Sequence, residues 1–318
     1  MRRYSKWLSW VVLLSLGLGG GAAAQVATTV LDIAPGVAVL GAGGAGISLA
    51  GGAETLYYNP AGLAELAGMS LSSFFSSYLG EANYSSLSFT FRNFGVGALL
   101  LNSGSIQGYD GSGNPTELLG YSSSAYVFGF GLSSGDLPFL RVLPADMAFG
   151  GLLKVLSSKI GDVSGSGFAL DLGFRMVFPV SSLGPVSVSN AALGVTAVNV
   201  FGGVSYDDID DDLAMDLRVG VSARLLERVT VAADLHLGGS ARFGVSFSPV
   251  PSLTLRLGLL SGAGTSITAG LGVNVQGFLV DYAYVSHTLG ASHRVSLTLD
   301  FSGLNLGTLG QSLRRFLP

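Results

Sequence analysis

From Met69 onward, apolar and polar residues alternate with a period of two, the repeat of a strand that shows its two faces to different surroundings. Over 213–224, Leu213, Met215, Leu217, Val219, Val221 and Ala223 share one face. Asp216, Arg218, Gly220, Ser222 and Arg224 share the other. Phe168, Leu170, Leu172, Phe174, Met176 and Phe178 alternate in the same way with Ala169, Asp171, Gly173 and Arg175. The pattern predicts fourteen strands, at 69–77, 84–92, 94–102, 121–132, 146–157, 166–178, 186–200, 213–225, 228–237, 239–248, 252–260, 266–275, 277–286 and 292–301. Most run nine to thirteen residues, close to the roughly 9–11 that a tilted strand needs to cross a bilayer.

The polar faces carry Gly, Ser and Thr with occasional Asp or Arg, and few Lys or Glu. Such a face suits a confined lumen. A soluble sandwich would instead pack its apolar faces against each other and put charge outside. Because hydrocarbon tolerates no unpaired backbone, strands at that depth must close on themselves. The expected fold is therefore all-β, a fourteen-stranded antiparallel transmembrane β-barrel over 69–301. With the N-terminus on the periplasmic side, the connections 103–120 and 201–212 become outer loops, and all inner connections but 133–145 are short.

Composition removes the competing classes. Of 318 residues, 48 are Gly and only 11% are charged, against about 7% Gly and about 25% charged residues in ordinary soluble domains. The absence of Cys excludes disulfides, thiolate metal sites and a cysteine-linked lipid anchor. A formal charge of −4 gives no footprint for nucleic acid. At the front, Arg2, Arg3 and Lys6 precede an apolar run from Trp7 to Leu18 and the small residues Ala22, Ala23 and Ala24. This is the pattern of a signal peptide over 1–24, cleaved after Ala24, which exports the chain; the barrel pattern then places it in the bacterial outer membrane. Trp7 and Trp10 leave with it, so the exported chain has no tryptophan.

Residues 25–68 do not alternate, and are expected to fold as a hatch inside the lumen. Gly41, Gly43 and Gly46 match G-x-G-x-x-G, but hairpins rather than βαβ units follow, which argues against a nucleotide site. Asn59-Pro60-Ala61 reads as a helix start, with Asn59 as cap and Pro60 at the first position, and the helix running to about Leu66. The box either plugs and stabilises the barrel or also moves and lines a path. Residues 302–318 place Leu309, Leu313, Phe316 and Leu317 on one side of an amphipathic helix, or else form a frayed tail.

Gly43-Gly44-Ala45-Gly46-Ile47-Ser48-Leu49-Ala50, followed by Glu54-Thr55-Leu56-Tyr57-Tyr58-Asn59-Pro60-Ala61-Gly62-Leu63-Ala64, resembles the N-terminal signature of the FadL-like outer-membrane β-barrel superfamily, in its PorV/PorQ branch. The resemblance implies a fourteen-stranded barrel with the Asn-Pro-Ala box in a luminal hatch, and passage of a small hydrophobic ligand across the outer membrane. It also leaves open a PorV-like role, docking a secreted protein or a secretion-system component, and a purely structural barrel. Such barrels typically end at an aromatic on the last strand, whereas seventeen residues follow Phe301 here.

No enzyme chemistry emerges. Ser286-His287 and His293 lack an acid in suitable spacing, and His236 lies on a polar face. No cofactor or metal site is expected. The acidic run 207–212 is either a solvated loop or a calcium-binding one, and it lacks the Gly and terminal Glu of an EF-hand. Asp171, Arg175, Asp216, Arg218, Arg224, Asp234, Arg242, Arg256, Asp281, Arg294 and Asp300 all fall on the polar faces. Facing lipid at mid-depth, an Arg would cost about 2–4 kcal/mol, so these charges are expected in the lumen, either selecting solutes or pairing with one another.

Overall fold

A computed structural model describes residues 29–78, 82–137, 146–179, 182–206, 209–262, 264–288 and 290–302. The expected signal peptide at 1–24 and the tail beyond Ser302 lie outside these residues, as do Asp207 and Asp208 of the acidic run.

The chain forms a closed barrel of fourteen antiparallel strands. They are β1 (Ser70–Tyr78), β2 (Ala82–Phe91), β3 (Phe94–Tyr109), β4 (Pro115–Ser133), β5 (Asp146–Ile160), β6 (Val163–Phe178) and β7 (Val186–Tyr206). They continue as β8 (Asp216–Leu225), β9 (Val229–His236), β10 (Ser240–Val250), β11 (Leu253–Ser261), β12 (Thr265–Val275), β13 (Phe278–His287) and β14 (Gly290–Asp300). Each strand pairs with its sequence neighbours, and β14 returns to β1 from Ser70↔Asp300 to Ser77↔His293. Closure leaves no edge in hydrocarbon.

The period-two pattern resolves as expected. Phe75, Leu87, Phe128, Leu153, Phe168, Leu172, Val221, Leu257 and Val295 are exposed on the outside, while Ala125, Ala169, Asp171, Arg175, Asp234 and Arg294 are buried within. An outer wall of exposed Phe, Leu and Val is stable only against acyl chains, so the barrel is a transmembrane one.

Two expected loops are instead mostly strand. The ladder between β3 and β4 continues to Tyr109↔Pro115, leaving only 110–114 as a turn within 103–120. In 201–212, β7 runs to Tyr206, and Ile209–Asp212 folds back onto it from Gly203↔Asp212 to Tyr206↔Ile209. Gly, Ser and Asp made these stretches read as turns, but a continuing cross-strand ladder outweighs such local preferences. A two-residue piece, Ser182–Leu183, likewise pairs with the start of β7.

The hatch residues from Thr29 to Gly68 lie inside the barrel. Their elements are short: a 3-10 turn at Val30–Asp32, helices α1 (Ala38–Gly41) and α2 (Thr55–Tyr58), and a 3-10 helix at Pro60–Glu65. The chain then enters β1 at one end of the barrel, the near end. The opposite, far end carries the tips of the β3–β4 and β7 extensions.

Candidate functional site

The lumen is built around Asn59. Its side-chain oxygen accepts from the Ala61 N–H at 3.1 Å, capping the Pro60–Glu65 helix, which is 3-10 rather than α. Its amide Nδ2 donates to Ile47 O at 2.8 Å and to Phe174 O of β6 at 2.9 Å. One buried side chain thus caps a helix, closes the hatch on itself and ties it to the wall. Pro60 and Ala61 are fully buried against β5 and β6. Asn59→Ala should cost about 2–4 kcal/mol, since it removes a cap and leaves two buried carbonyls without a donor. Equilibrium denaturation of the lipid-embedded barrel measures it.

Barrel side chains grip the hatch backbone along its length. Ser123 Oγ accepts from Val30 N, and Tyr84 OH donates to Ile33 O at 3.1 Å. Arg294 donates to Ala34 O at 2.5 Å, with Phe74 and Tyr84 rings beside its guanidinium. Thr268 Oγ1 accepts from Gly43 N and donates to Gly41 O. Asp234 Oδ2 accepts from Gly46 N at 2.7 Å and Ile47 N at 3.1 Å, and Arg242 donates to Gly44 O. Arg175 donates to Ser48 O at 2.7 Å and pairs with Glu65. Within the hatch, Glu54 receives three backbone N–H groups, from Val37, Ala38 and Val39. Burial pushes its carboxyl above the usual carboxylate range, against the opposing pull of those three donors.

Inward-facing glycines let the hatch backbone lie directly on the wall. A Cβ at Gly150 would sit 2.4 Å from Ala61 N, at Gly194 2.1 Å from Ile47 O, at Gly244 2.0 Å from Ala42 O and at Gly258 2.1 Å from Gly43 N. Gly150 faces Gly173 across the ladder, Gly194 faces Gly220, and Gly244 faces Gly258. The G-x-G-x-x-G stretch is the hatch's half of this contact, with α1 packed on β11, β12 and β13.

The remaining expected luminal charges divide into pairs and rims. Arg256 pairs with Asp281 at 2.7 Å and Arg218 with Asp216 at 2.7 Å. Asp171 pairs with Lys154 at 2.6 Å, with both side chains nearly enclosed. Arg224 and Asp300 line the near-end cavity, where Asp300 accepts from Ser302. Most of these groups bind the hatch or each other. Lys154, Glu54 and Glu65 take part without having stood out in the sequence.

Lys154 and Asp171 mark a break in the wall. On β6 the register jumps from Leu170↔Phe201 to Leu172↔Ala197, so β7 carries two extra residues. On the other side, β8 pairs with β7 only as far as Asp216↔Val198. Asn199, with φ +53°, turns its amide N–H to Asp171 at 2.8 Å and its Oδ1 to Lys154 Nζ at 2.6 Å. Bulges of this kind unpair and bend a strand locally.

The hatch divides the lumen into two unlike halves. Toward the far end lie Val30, Ile33, Leu99, Leu101, Leu156 and Val204 in one apolar cluster, with Tyr121, Tyr206 and Leu213 against it. At the near end is a cavity of about 580 Å³ of mixed lining, with hydroxyls from Ser222, Thr230, Ser246 and Thr254, apolar Val39, Leu49, Leu66 and Leu279, and the charged Arg224, Arg256 and Asp281. Among the described residues, no group of three or more His, Asp or Glu side chains is placed to hold a metal ion.

Neither a protein-family model nor a curated protein matches the chain. Solved structures do. The CymD monoaromatic hydrocarbon channel superposes with a TM-score of 0.53 at 13% identity, covering 84% of this chain and 98% of that one. A TodX monoaromatic hydrocarbon channel, the deltaS2S3 mutant, gives 0.53 at 13% identity over 85% of this chain and 100% of its own. The TodX deltaS2 mutant gives 0.50 at 12%, over 84% and 99%. At these identities the shared property is the fold, and this chain has the fold of those channels.

Proposed function

We propose that this barrel passes small hydrophobic molecules across the outer membrane, taking them up at the far end and releasing them through the wall at the β7 bulge. The observation that carries the reading is that the broken ladder around Asn199 adjoins the apolar half of the lumen, where Val204 belongs to the same cluster as Leu101 and Leu156. The likeness in fold to hydrocarbon channels supports it, as does the hatch sequence resembling FadL-like barrels.

A straight axial path has less in its favour. The hatch is held by hydrogen bonds from β4 round to β14, and an axial path would have to break them together. On this reading the near end faces the periplasm, and the hatch serves as a fixed floor.

Deleting Asn199 and Val200 removes the two extra residues and keeps every later side chain on its own face. Uptake of toluene at limiting concentration by intact cells should then fall to the level of cells lacking the barrel, with equal amounts of folded protein in the membrane. Undiminished uptake would exclude the wall route.

A further inference from the structure

At the far end of β8 and β9, three polar atoms point to a ligand. Asp216 Oδ2 accepts from Arg218 Nε at 2.7 Å and faces His236 Nδ1 at 3.6 Å. Asp216 Oδ1 and His236 Nε2 are enclosed and have no hydrogen-bond partner among the described residues, and the same holds for Asp234 Oδ1. His236 is only 6% exposed and Asp234 2%. The carboxylate facing Nδ1 places the imidazole proton there and leaves Nε2 with its lone pair. All three atoms are therefore acceptors, and a buried acceptor destabilises the structure until a donor reaches it.

The surroundings narrow the chemistry. The side chains of Asp216 and Arg218 are each 24% exposed, so the enclosed acceptors lie just behind partly open side chains rather than deep in the wall. Leu213, three residues before Asp216, packs on the apolar cluster that includes Leu101, Leu156 and Val204. A greasy surface thus borders a set of acceptors. Arg218 and Arg242 already balance Asp216 and Asp234, so a further carboxylate would arrive without a surplus cation.

We infer that Asp216 and His236 form a subsite for a hydrogen-bond-donating head, so that the barrel selects hydrophobic molecules bearing a hydroxyl over both plain hydrocarbons and carboxylates. This rests on the passage of hydrophobic molecules proposed above and names the class that passes.

Toluene, benzyl alcohol and benzoate, titrated calorimetrically into the full chain in lipid nanodiscs, test it. In the native protein, benzoate should bind more weakly than benzyl alcohol. In His236→Phe the affinity ratio of benzyl alcohol to toluene should fall about 3–10-fold, with toluene binding unchanged. Asp216→Asn, which keeps the shape of the side chain, should move the ratio the same way and serves if His236→Phe does not fold. An unchanged ratio in a folded variant, or benzoate as the tightest ligand, would overturn the subsite while leaving hydrocarbon passage standing. Failure of both toluene and benzyl alcohol to bind would remove the passage reading and the subsite together.

Discussion

Gly244→Val should yield a chain that cannot close its barrel around the hatch. The first side-chain carbon would lie 2.0 Å from Ala42 O, a backbone atom of the hatch, and the facing Gly258 is equally tight against Gly43 N at 2.1 Å. Neither neighbour is the free end of a flexible side chain, so the hatch must leave its seat or the wall must open. Leaving the seat strips the Gly43, Gly46 and Ile47 N–H groups from Thr268 and Asp234. Each buried group left unpaired costs about 1–3 kcal/mol, so the total exceeds what most single substitutions do. The readout is loss of the folded, protease-resistant barrel on gels run without heating. Gly120→Val in β4, where nothing lies within 4 Å, is the control and should fold normally. A Gly244→Val barrel of native stability would mean that the hatch does not rest on β10.

Lys154→Met should be nearly as damaging, for an electrostatic reason. Lys154 and Asp171 have side chains only 4% and 6% exposed and meet at 2.6 Å. Removing the ammonium leaves a carboxylate enclosed without its cation, a change that costs about 3–5 kcal/mol for buried pairs. Replacing both partners, as Lys154→Met with Asp171→Leu, should recover most of the loss, because the uncompensated charge is gone. Denaturant midpoints of the two single variants and the double variant give the coupling directly. If the double variant is as unstable as the sum of the singles, the pair does not act as a unit. Because Asn199 is bound to both groups, the Lys154→Met barrel should also show faster proteolysis at the β7 bulge.

Much of the architecture was legible because a membrane barrel writes its two faces into alternate residues. Phe168 and Leu172 pointed out, and Asp171 and Arg175 pointed in, on the period-two pattern alone. The cap at Asn59 was legible for a similarly local reason, since Asn before Pro satisfies a helix start without tertiary help. The hatch contacts were not. Asp234 and Arg242 could be placed in the lumen, yet their partners are backbone atoms some 190 to 200 residues earlier, which no spacing reveals. Lys154 escaped notice because Gly150, Gly151, Leu152 and Leu153 interrupt the alternation just before it. A signal for the hatch seat was present all the same. Glycine recurs on the inward face of β5 to β8 and of β10 and β11, at Gly150, Gly173, Gly194, Gly220, Gly244 and Gly258, where a lumen filled only by side chains would need none.

The strands differ greatly in length. β3 to β7 have 15 to 21 residues and β8 to β14 only 8 to 11. At about 3.3 Å per residue, one side of the rim stands roughly 15–30 Å of strand above the other. The mouth is therefore cut at a slant, like a scoop, with its low lip along the short strands β8 to β14. On the proposed function, with this mouth facing outward, hydrophobic molecules spread as a film over the cell surface would reach that lip by sliding sideways, and the rate of capture should follow how much solute the surface has adsorbed and not how much stays dissolved above it.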